Sequence, residues 1–445
     1  MEQSDGEAPT GGSKAEAVIG RTGVASVGVA SVAAAVAGYL VLVVVARRVP
    51  QDVNANFLVF WSLFFAGYGV LGGLQQEATR AVGTTMLEGG AGRAGGARVM
   101  PWSLLVGAGL AVVTAASSPW WFPTLLVGQP SVVVGVLCAA VVVLAGHVTL
   151  VGILAGRRLW TLSAVLTGGE SMLRLGLVGV AVAIGAGLVG LEIATVASAV
   201  FWLLLIASSR RARTAIGTRG VDTPRRVISR AAQAMVAAAG SAALVVGFPT
   251  LLRLSASSGE WATAAPLVLA ISLTRAPLLM PLNAYQGVAI TYFLDPRRSR
   301  GAALARIVGV IVGFGLVGAA LAWLVGPWLM ALFFGAGYRV SGVLLGSLML
   351  DAVALAVVTM TGACVLALGR HRAYAIGWIV AAVASAGLVL LPMPLDSRAV
   401  LALGASPLLG AVIHLVALRG ATAPATLRGA GTVTARGAGP RPAVR

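Results

Sequence analysis

The chain has few charged residues, cysteines and histidines. Only 10% of its 445 residues are charged, against about 25% in soluble globular domains. Its two cysteines, Cys138 and Cys364, lie in apolar stretches, so neither a disulfide framework nor a metal cluster is expected. The histidines His147, His371 and His414 are far apart, and the sequence contains no HExxH, GxSxG or P-loop motif. We therefore predict that the chain is not an enzyme and uses no cofactor.

Long hydrophobic blocks make up most of the chain. Hydrophobic residues account for 58% of it, and the mean hydropathy is +0.94. The blocks are about 20 residues long, which is the length that a helix needs to cross a bilayer. They predict an all-α membrane protein with about twelve transmembrane helices, at roughly 24–46, 57–79, 100–117, 131–155, 161–185, 188–208, 231–252, 263–293, 305–333, 341–368, 373–392 and 399–418.

The basic residues predict an orientation. Of the 32 lysines and arginines, 25 fall at the ends of the chain or in alternate connections, and only five fall in the remaining connections. Because cytoplasmic loops of membrane proteins carry an excess of Lys and Arg, we predict a multi-pass protein of the cytoplasmic membrane with both termini in the cytoplasm. The net charge of +18 then reflects topology, and no nucleic-acid partner is expected.

The connection at 209–230 is the longest between spans and divides them six and six. ILAGRRLWTLSAV at 153–165 also resembles LALGRHRAYAIGWIV at 366–380, as a duplicated six-span unit would. We predict a cytoplasmic tail (1–23), an N-lobe (24–208), a basic cytoplasmic linker (209–230), a C-lobe (231–418) and a disordered basic cytoplasmic tail (419–445).

Ionisable residues inside spans are candidates for function, because hydrocarbon disfavours charge. Glu170 and Arg174 are four residues apart and share one helix face, so they can pair. They are either a self-neutralising pair that packs the bundle, or a cavity-lining pair. In the second case Arg174 would bind an anionic headgroup and Glu170 would hold a proton or a cation.

Arg275 lies deep in the predicted span 263–293 without an acidic neighbour on its own helix. A guanidinium group suits phosphate because its planar fork binds two oxygens. Arg275 is thus a candidate ligand-binding residue, the alternative being an ion pair with Asp351 or Glu77. Three prolines should bend or break this span, and polar residues extend it further along: Pro266, Pro277 and Pro281, then Asn283 and Gln286.

The remaining candidates lie in other spans. Gln76, Glu77 and Arg80 follow a glycine-rich run and line either a cavity floor or a solvated helix end. Asp351 is a lone carboxylate that could couple transport to protons or sodium, or form a salt bridge. Glu192 is expected to be solvated near a span boundary. The last candidate, His147, is expected to be a hydrogen-bonded core residue.

This arrangement resembles the multidrug/oligosaccharidyl-lipid/polysaccharide (MOP) superfamily, and within it the polysaccharide-biosynthesis flippases of the O-antigen translocase type. The resemblance rests on the twelve spans in two lobes, on the glycine-rich run ending in QxxxR, and on LFFGAGYRVSGVLLGSL at 332–348. It implies a MATE-like fold in which two six-helix lobes surround a central cleft that opens alternately to the two sides. It also implies that basic residues of the cleft meet the pyrophosphate of a polyprenyl-linked sugar.

The resemblance therefore implies an alternating-access flippase that moves a polyprenyl-linked oligosaccharide or related glycolipid across the membrane for polysaccharide export. The expected partners are the lipid-linked sugar, membrane lipids and other polysaccharide-assembly proteins. The alternatives are a MATE-like multidrug exporter, a membrane glycosyltransferase or ligase, and a non-catalytic scaffold of a polysaccharide assembly complex. The candidate binding residues are Arg275, Arg174, Arg80, Gln76, Asn283 and Gln286, and the candidate ion-coupling residues are Asp351, Glu170 and Glu77.

Overall fold

The computed structural model describes residues 12–87, 96–220, 222–294 and 299–419. These stretches contain sixteen α-helices, two short 3₁₀ turns and no β-strand apart from an isolated bridge between Arg98 and Arg219. The helices are α1 (Gly12–Arg48), α2 (Gln51–Leu87), α3 (Val99–Leu125), α4 (Val132–Gly156), α5 (Trp160–Ala183), α6 (Gly187–Ala197), α7 (Phe201–Ser208), α8 (Arg210–Ile216), α9 (Pro224–Val245), α10 (Phe248–Ser255), α11 (Ser258–Ala262), α12 (Ala265–Leu294), α13 (Arg300–Phe334), α14 (Gly342–Ala367), α15 (His371–Leu388) and α16 (Leu395–Arg419).

Ten helical segments of the described chain are long and apolar enough to cross a membrane. One of them, Gly187–Ser208, is α6 and α7 joined by the 3₁₀ turn Ser198–Val200. Helices α12 and α15 occupy the positions of two further predicted spans, 263–293 and 373–392. The predicted fold class, an all-α multi-pass membrane protein of about twelve helices, is confirmed.

The helices pack as two six-helix lobes around a central cleft. In the N-lobe, α1 packs against α5, and α4 packs against both α2 and α3. In the C-lobe, α14 packs against α13 and α16, and α15 packs against α16. The broadest contact between the lobes is that of α2 with α9. The exact lobe limits, 24–208 and 231–418, stay a prediction.

Two glycines let α2 and α9 cross closely. A Cβ atom at Gly73 would lie 2.7 Å from the carbonyl carbon of Ala234, and one at Gly69 would lie 2.9 Å from the Cβ of Ala242. Small residues allow helix backbones in membranes to approach each other in this way. The glycine-rich run of α2 therefore serves the contact between the lobes.

The predicted span 231–252 is broken in the structure. Helix α9 ends at Val245, and α10 begins at Phe248 with Pro249 in its first turn. Proline has no N–H, so in a continuous helix Pro249 could not donate to the carbonyl of Val245. The break leaves carbonyl groups at the end of α9 free to accept other donors. Of the bend or break predicted within 263–293, the break does not occur, because α12 is continuous. Pro266 lies in its first turn, where proline is tolerated, and a bend at Pro277 or Pro281 stays a prediction.

The lobes are joined at the end of the bundle that carries the turn at 49–50 between α1 and α2, which we name the turn end. There the Arg47 guanidinium donates to the carbonyls of Leu332 and Phe333. Gln51 donates to the Gly337 carbonyl at 2.7 Å, and Asn54 donates to the Tyr338 hydroxyl at 2.9 Å. The opposite end carries the connection 209–223, and we name it the linker end. Toward it α1 is less deeply buried, since 26–36 contains half-buried and exposed residues but no fully buried one.

Candidate functional site

A cavity of about 440 Å³ lies between the lobes. Its walls are α1, α2 and α5 of the N-lobe, the break between α9 and α10, and α12. Three of the charged residues singled out in the sequence line it, namely Glu170, Arg174 and Arg275. The cavity therefore brings together residues that are more than 100 positions apart in the chain.

Glu170 and Arg174 form a direct ion pair on α5, as their spacing predicted. Both residues are only 3% exposed. The Glu170 carboxylate also accepts from the Ser198 hydroxyl at 2.8 Å, and Arg174 Nε approaches the same hydroxyl oxygen at 3.4 Å. A buried pair of this kind is stable only if further hydrogen bonds satisfy it. The pair both lines the cavity and neutralises itself.

Aromatic side chains of α2 form the wall beside Arg174. Its guanidinium carbon lies 4.8, 5.5 and 5.8 Å from the ring centroids of Phe65, Phe64 and Trp61. The face of an aromatic ring attracts a cation, so these rings help to hold Arg174 in place. Sequence reasoning missed this wall. Its signal was present, because Trp61 and Phe65 are four residues apart and lie on one helix face.

Arg275 is held differently. It lies on α12, is 8% exposed, and its Nη1 donates to the carbonyls of Leu244 and Val245 at 3.0 and 2.9 Å. These are the carbonyls that the break before Pro249 leaves free. The carboxyl end of a helix carries a partial negative charge that favours cations. Arg275 thus keeps a full positive charge at the cavity wall and, within the described part of the chain, has no carboxylate ion-pair partner.

Asp351 on α14 lies close enough to interact electrostatically with Arg275 but does not form a salt bridge with it. It is 8% exposed, and its Oδ2 has no hydrogen-bond partner among the described residues. It does not line the cavity. The alternative in which Arg275 pairs directly with Asp351 or Glu77 is wrong.

Gln76, Glu77 and Arg80 lie toward the linker end, outside the cavity wall. Arg80 pairs with Glu77 and with Asp222, each at 2.6 Å, and Arg230 pairs with Asp222 at 2.6 Å. Burial tends to raise the pKa of Asp222, but its bonds to Arg80 and the neighbouring positive charges hold that pKa below its usual range. These residues tie α2 to the connection between the lobes. A binding role for Arg80 and Gln76 stays a prediction that this cavity does not support.

Two further candidates cannot be placed in the cavity. The backbone of Asn283 and Gln286 is part of α12, but their side chains lie outside the described part of the structure. Their role as binding residues stays a prediction.

The expectation for Glu192 is wrong, whereas that for His147 is right about its burial and wrong about its hydrogen bonds. Glu192 is fully buried rather than solvated, and both of its carboxyl oxygens lack a hydrogen-bond partner among the described residues. His147 is also fully buried, beside the ring of Tyr68 at 5.8 Å between centroids. Neither of its ring nitrogens has a hydrogen-bond partner within the described chain. Hydropathy placed both residues in spans but could not say what each helix face meets.

Comparison with known protein sequences identifies relatives of this chain. No protein-family model matches the chain. It is 40% identical over 416 residues to the uncharacterized protein Rv1510 of Mycobacterium tuberculosis (strain ATCC 25618 / H37Rv), covering 92% of this chain and 93% of the relative. It is 39% identical over 421 residues to the uncharacterized protein Mb3654 of Mycobacterium bovis, covering 94% and 97%. The chain belongs to the family of these mycobacterial proteins.

Solved structures with a similar fold include transporters of the MOP superfamily and a lipid II flippase. An inward-facing multidrug resistance MATE transporter matches with a TM-score of 0.65 at 15% identity, covering 90% of this chain and 96% of that one. A MOP superfamily transporter from Pyrococcus furiosus, described as having a binding pocket of reverse polarity, matches at 0.62 and 16%, covering 90% and 94%. The lipid II flippase MurJ matches at 0.62 and 12%, covering 90% and 88%. The predicted MOP-type fold is confirmed, and the O-antigen branch stays a prediction.

Proposed function

We propose that this family member is an alternating-access flippase that moves a polyprenyl-linked oligosaccharide or related glycolipid across the cytoplasmic membrane for polysaccharide export. The fold supports a MOP-type transporter, and MurJ is a flippase with the same fold. The proposal about the substrate rests on the charge of the cavity. Its partners would be the lipid-linked sugar, the surrounding lipids and other polysaccharide-assembly proteins.

The position of Arg275 carries the proposal. Of the three charged residues of the cavity, Glu170 and Arg174 cancel each other. Arg275 contributes a positive charge that only backbone carbonyls balance. A cavity of net positive charge favours an anion. A phosphate group on the headgroup would meet Arg275, while the lipid tail would stay in the bilayer.

The size and walls of the cavity also suit part of such a headgroup. Its volume of about 440 Å³ lies within the range of small-ligand sites, which is roughly 300–1,000 Å³. Tyr39, Trp61, Phe65 and Tyr68 contribute aromatic surface to its walls. Such a mixture of aromatic walls with a few charged groups fits a ligand that is polar at one point and bulky elsewhere.

The charge distribution supports an orientation in which the linker end faces the cytoplasm, because basic residues concentrate there. The contacts of Arg47, Gln51 and Asn54 would then close the cleft on the outer side. In this state the cavity would receive its substrate from the cytoplasmic side. Rocking of the lobes about the contact between α2 and α9 would open the other side.

The arrangement of carboxylates argues against a multidrug exporter of organic cations. A cation site would need a free carboxylate in the cavity, and Glu170 is occupied by Arg174. Glu77 is likewise occupied by Arg80. Of the three ion-coupling candidates, only Asp351 has no ion-pair partner within the described residues, and an ion-coupling role for it stays a prediction.

Replacing Arg275 by alanine tests the proposal. Purified protein in liposomes would be assayed for movement of a polyprenyl-pyrophosphate-linked sugar between leaflets. A hydrogen bond to a charged group contributes about 1.5–3 kcal/mol, so Arg275→Ala should reduce substrate affinity roughly 10- to 100-fold. In a deletion strain it should cause the lipid-linked precursor to accumulate on the cytoplasmic face.

The matched control is Arg48→Ala, which removes an exposed arginine at the turn end. Both variants should reach the membrane at wild-type levels, and the control should transport normally. Unchanged transport by Arg275→Ala would rule out its role in binding. If deleting the gene left surface polysaccharide intact, the flippase proposal itself would fall, and drug export would be tested next.

A further inference from the structure

Glu192 differs from the carboxylates that have arginine partners. Glu77 and Glu170 are each paired with an arginine on the next turn of their own helix. Glu192 is 0% exposed, and neither of its oxygens has a hydrogen-bond or ion-pair partner in the described stretches. An ionised carboxylate buried in this way is so unfavourable that such a group normally becomes neutral.

A second unsatisfied side chain reaches the same place. Glu192 lies in the second turn of α6, near the turn end, and Gln129 approaches it from the α3–α4 connection. Both polar atoms of the Gln129 amide are buried, and neither has a partner with hydrogen-bond geometry among the described residues. Two unpartnered polar groups from different elements thus face each other in the interior.

No charged group compensates Glu192 from the helices that pack against α6. These helices are α2, α4 and α5. Within the described chain, none of their titratable or charged groups forms an ion pair or hydrogen bond with Glu192. These groups are Asp52, Tyr68, Glu77 and Arg80 on α2, Cys138 and His147 on α4, and Glu170 and Arg174 on α5. Among the described residues, Gln129 is the side chain that approaches its carboxyl group, without completing a hydrogen bond.

Protonation of Glu192 would remove the buried charge and give both unsatisfied side chains a hydrogen-bond partner. A protonated carboxyl group can donate its O–H to the amide oxygen and accept from the amide N–H, so that both side chains are satisfied. We infer that Glu192 and Gln129 form a proton-binding site of the N-lobe, reached from the turn end through the α3–α4 connection. Loss of the proton would leave a buried charge and would require Glu192 or its surroundings to move.

Helix α6 links this site to the cavity. Six residues after Glu192, the Ser198 hydroxyl donates to Glu170 at 2.8 Å. The α-helix is interrupted there by the 3₁₀ turn Ser198–Val200, a type of interruption that often marks a functional hinge. A movement of α6 upon proton release would therefore act on the Glu170–Arg174 pair. This coupling to transport rests on the proposed function, whereas the proton site does not.

Infrared spectroscopy of the purified full-length protein in lipid nanodiscs tests the site, because protonated carboxyl groups have a distinct carbonyl stretch. The wild type should show such a band at neutral pH, and Glu192→Gln, which keeps the shape of the side chain, should lose it. Asp351→Asn is the matched control and should retain the Glu192 band. Gln129→Leu should shift the band without abolishing it, because the carboxyl group remains but loses its partner.

An unchanged spectrum in Glu192→Gln would overturn the inference. Loss of the band upon adding sodium chloride to the wild type would also overturn it, in favour of a sodium site. Coupling is tested separately in proteoliposomes, where an imposed pH gradient should drive flipping by the wild type but not by Glu192→Gln. If the wild-type protein moves no lipid-linked sugar while the band behaves as expected, the proposed function fails and the proton site stands.

Discussion

Two arginines line the same cavity but are held in different ways. Arg174 on α5 has a carboxylate partner, a neighbouring serine hydroxyl and three aromatic rings. Arg275 on α12 has the two carbonyl groups at the end of α9 and the ring of Phe248 at 5.8 Å. Both are almost fully buried. The difference lies in what balances the charge.

The full negative charge of Glu170 neutralises Arg174, whereas the partial charges of two carbonyl groups leave Arg275 able to bind an anion. The end of a helix carries the equivalent of roughly half an elementary charge, spread over its free carbonyls. That is enough to retain a guanidinium group but not to neutralise it. Arg174 should therefore matter chiefly for stability, and Arg275 chiefly for binding.

The largest expected effect is on stability. Replacing Arg174 by glutamine removes the only ion-pair partner that Glu170 has in the described chain and leaves a buried carboxylate uncompensated. Breaking a buried pair in this way costs about 3–5 kcal/mol. The free energy of unfolding in detergent, measured for Arg174→Gln against the wild type, checks this.

The control is the double variant Glu170→Gln/Arg174→Gln. It removes both charges and should recover much of the lost stability, because well-packed neutral replacements of buried pairs are often tolerated. A single variant as stable as the double variant would show that the charge of Glu170 is compensated by another group.

The Glu170–Arg174 contact could be predicted because it depends only on local geometry. Residues four apart on a helix are neighbours whatever the rest of the fold does. The setting of Arg275 could not be predicted in the same way, since its partners lie about thirty residues earlier in the chain. Pro249 was visible in the sequence, but only the folded structure shows that Arg275 on α12 uses the carbonyls that it leaves free.

Burial of single residues was the least predictable feature. The spans were found because hydrocarbon requires long apolar helices. Within a span, hydropathy says how deep a residue lies but not whether its helix face meets lipid, water or protein. The burial of Glu192 was misjudged for this reason, as were the hydrogen bonds expected of His147. The aromatic wall of α2 was missed because its residues look like ordinary apolar membrane residues until Arg174 is placed against them.

A smaller effect is expected from Asp351, whose negative charge acts on Arg275 without pairing with it. Asp351→Asn should strengthen binding of an anion at Arg275, because it removes a competing charge while keeping the shape of the side chain. Interaction energies between coupled residues are about 0.5–3 kcal/mol, and the lower part of that range corresponds to roughly a fivefold change in affinity. Titration of the purified protein with a polyprenyl pyrophosphate measures it.

The effect should vanish when Arg275 is absent, so that Arg275→Gln and Arg275→Gln/Asp351→Asn bind the probe equally weakly. Weaker binding by Asp351→Asn alone would instead show that Asp351 orients Arg275. That result would contradict the description of Arg275 as a charge held by carbonyl groups.

The smallest effect is expected at the linker end, where the ion pairs are partly exposed. The side chains of Arg80 and Arg230, which both pair with Asp222, are 39% and 44% exposed. Solvent and salt screen such pairs, so Asp222→Asn should cost at most about 1 kcal/mol at pH 7.

Because the pKa of Asp222 is lowered in the folded protein, its stabilising contribution is fully present above the unfolded pKa of about 3.9. It is lost as the pH falls through the folded pKa, where Asp222 becomes protonated. Unfolding of wild type and variant, compared from pH 7 into the acid range and at low and high salt, should therefore show two curves that converge at acid pH. Curves that stay apart there would show that the loss of stability does not come from the charge of Asp222, since both proteins keep the bond from Ala97 N–H to the backbone carbonyl of residue 222 at 3.0 Å.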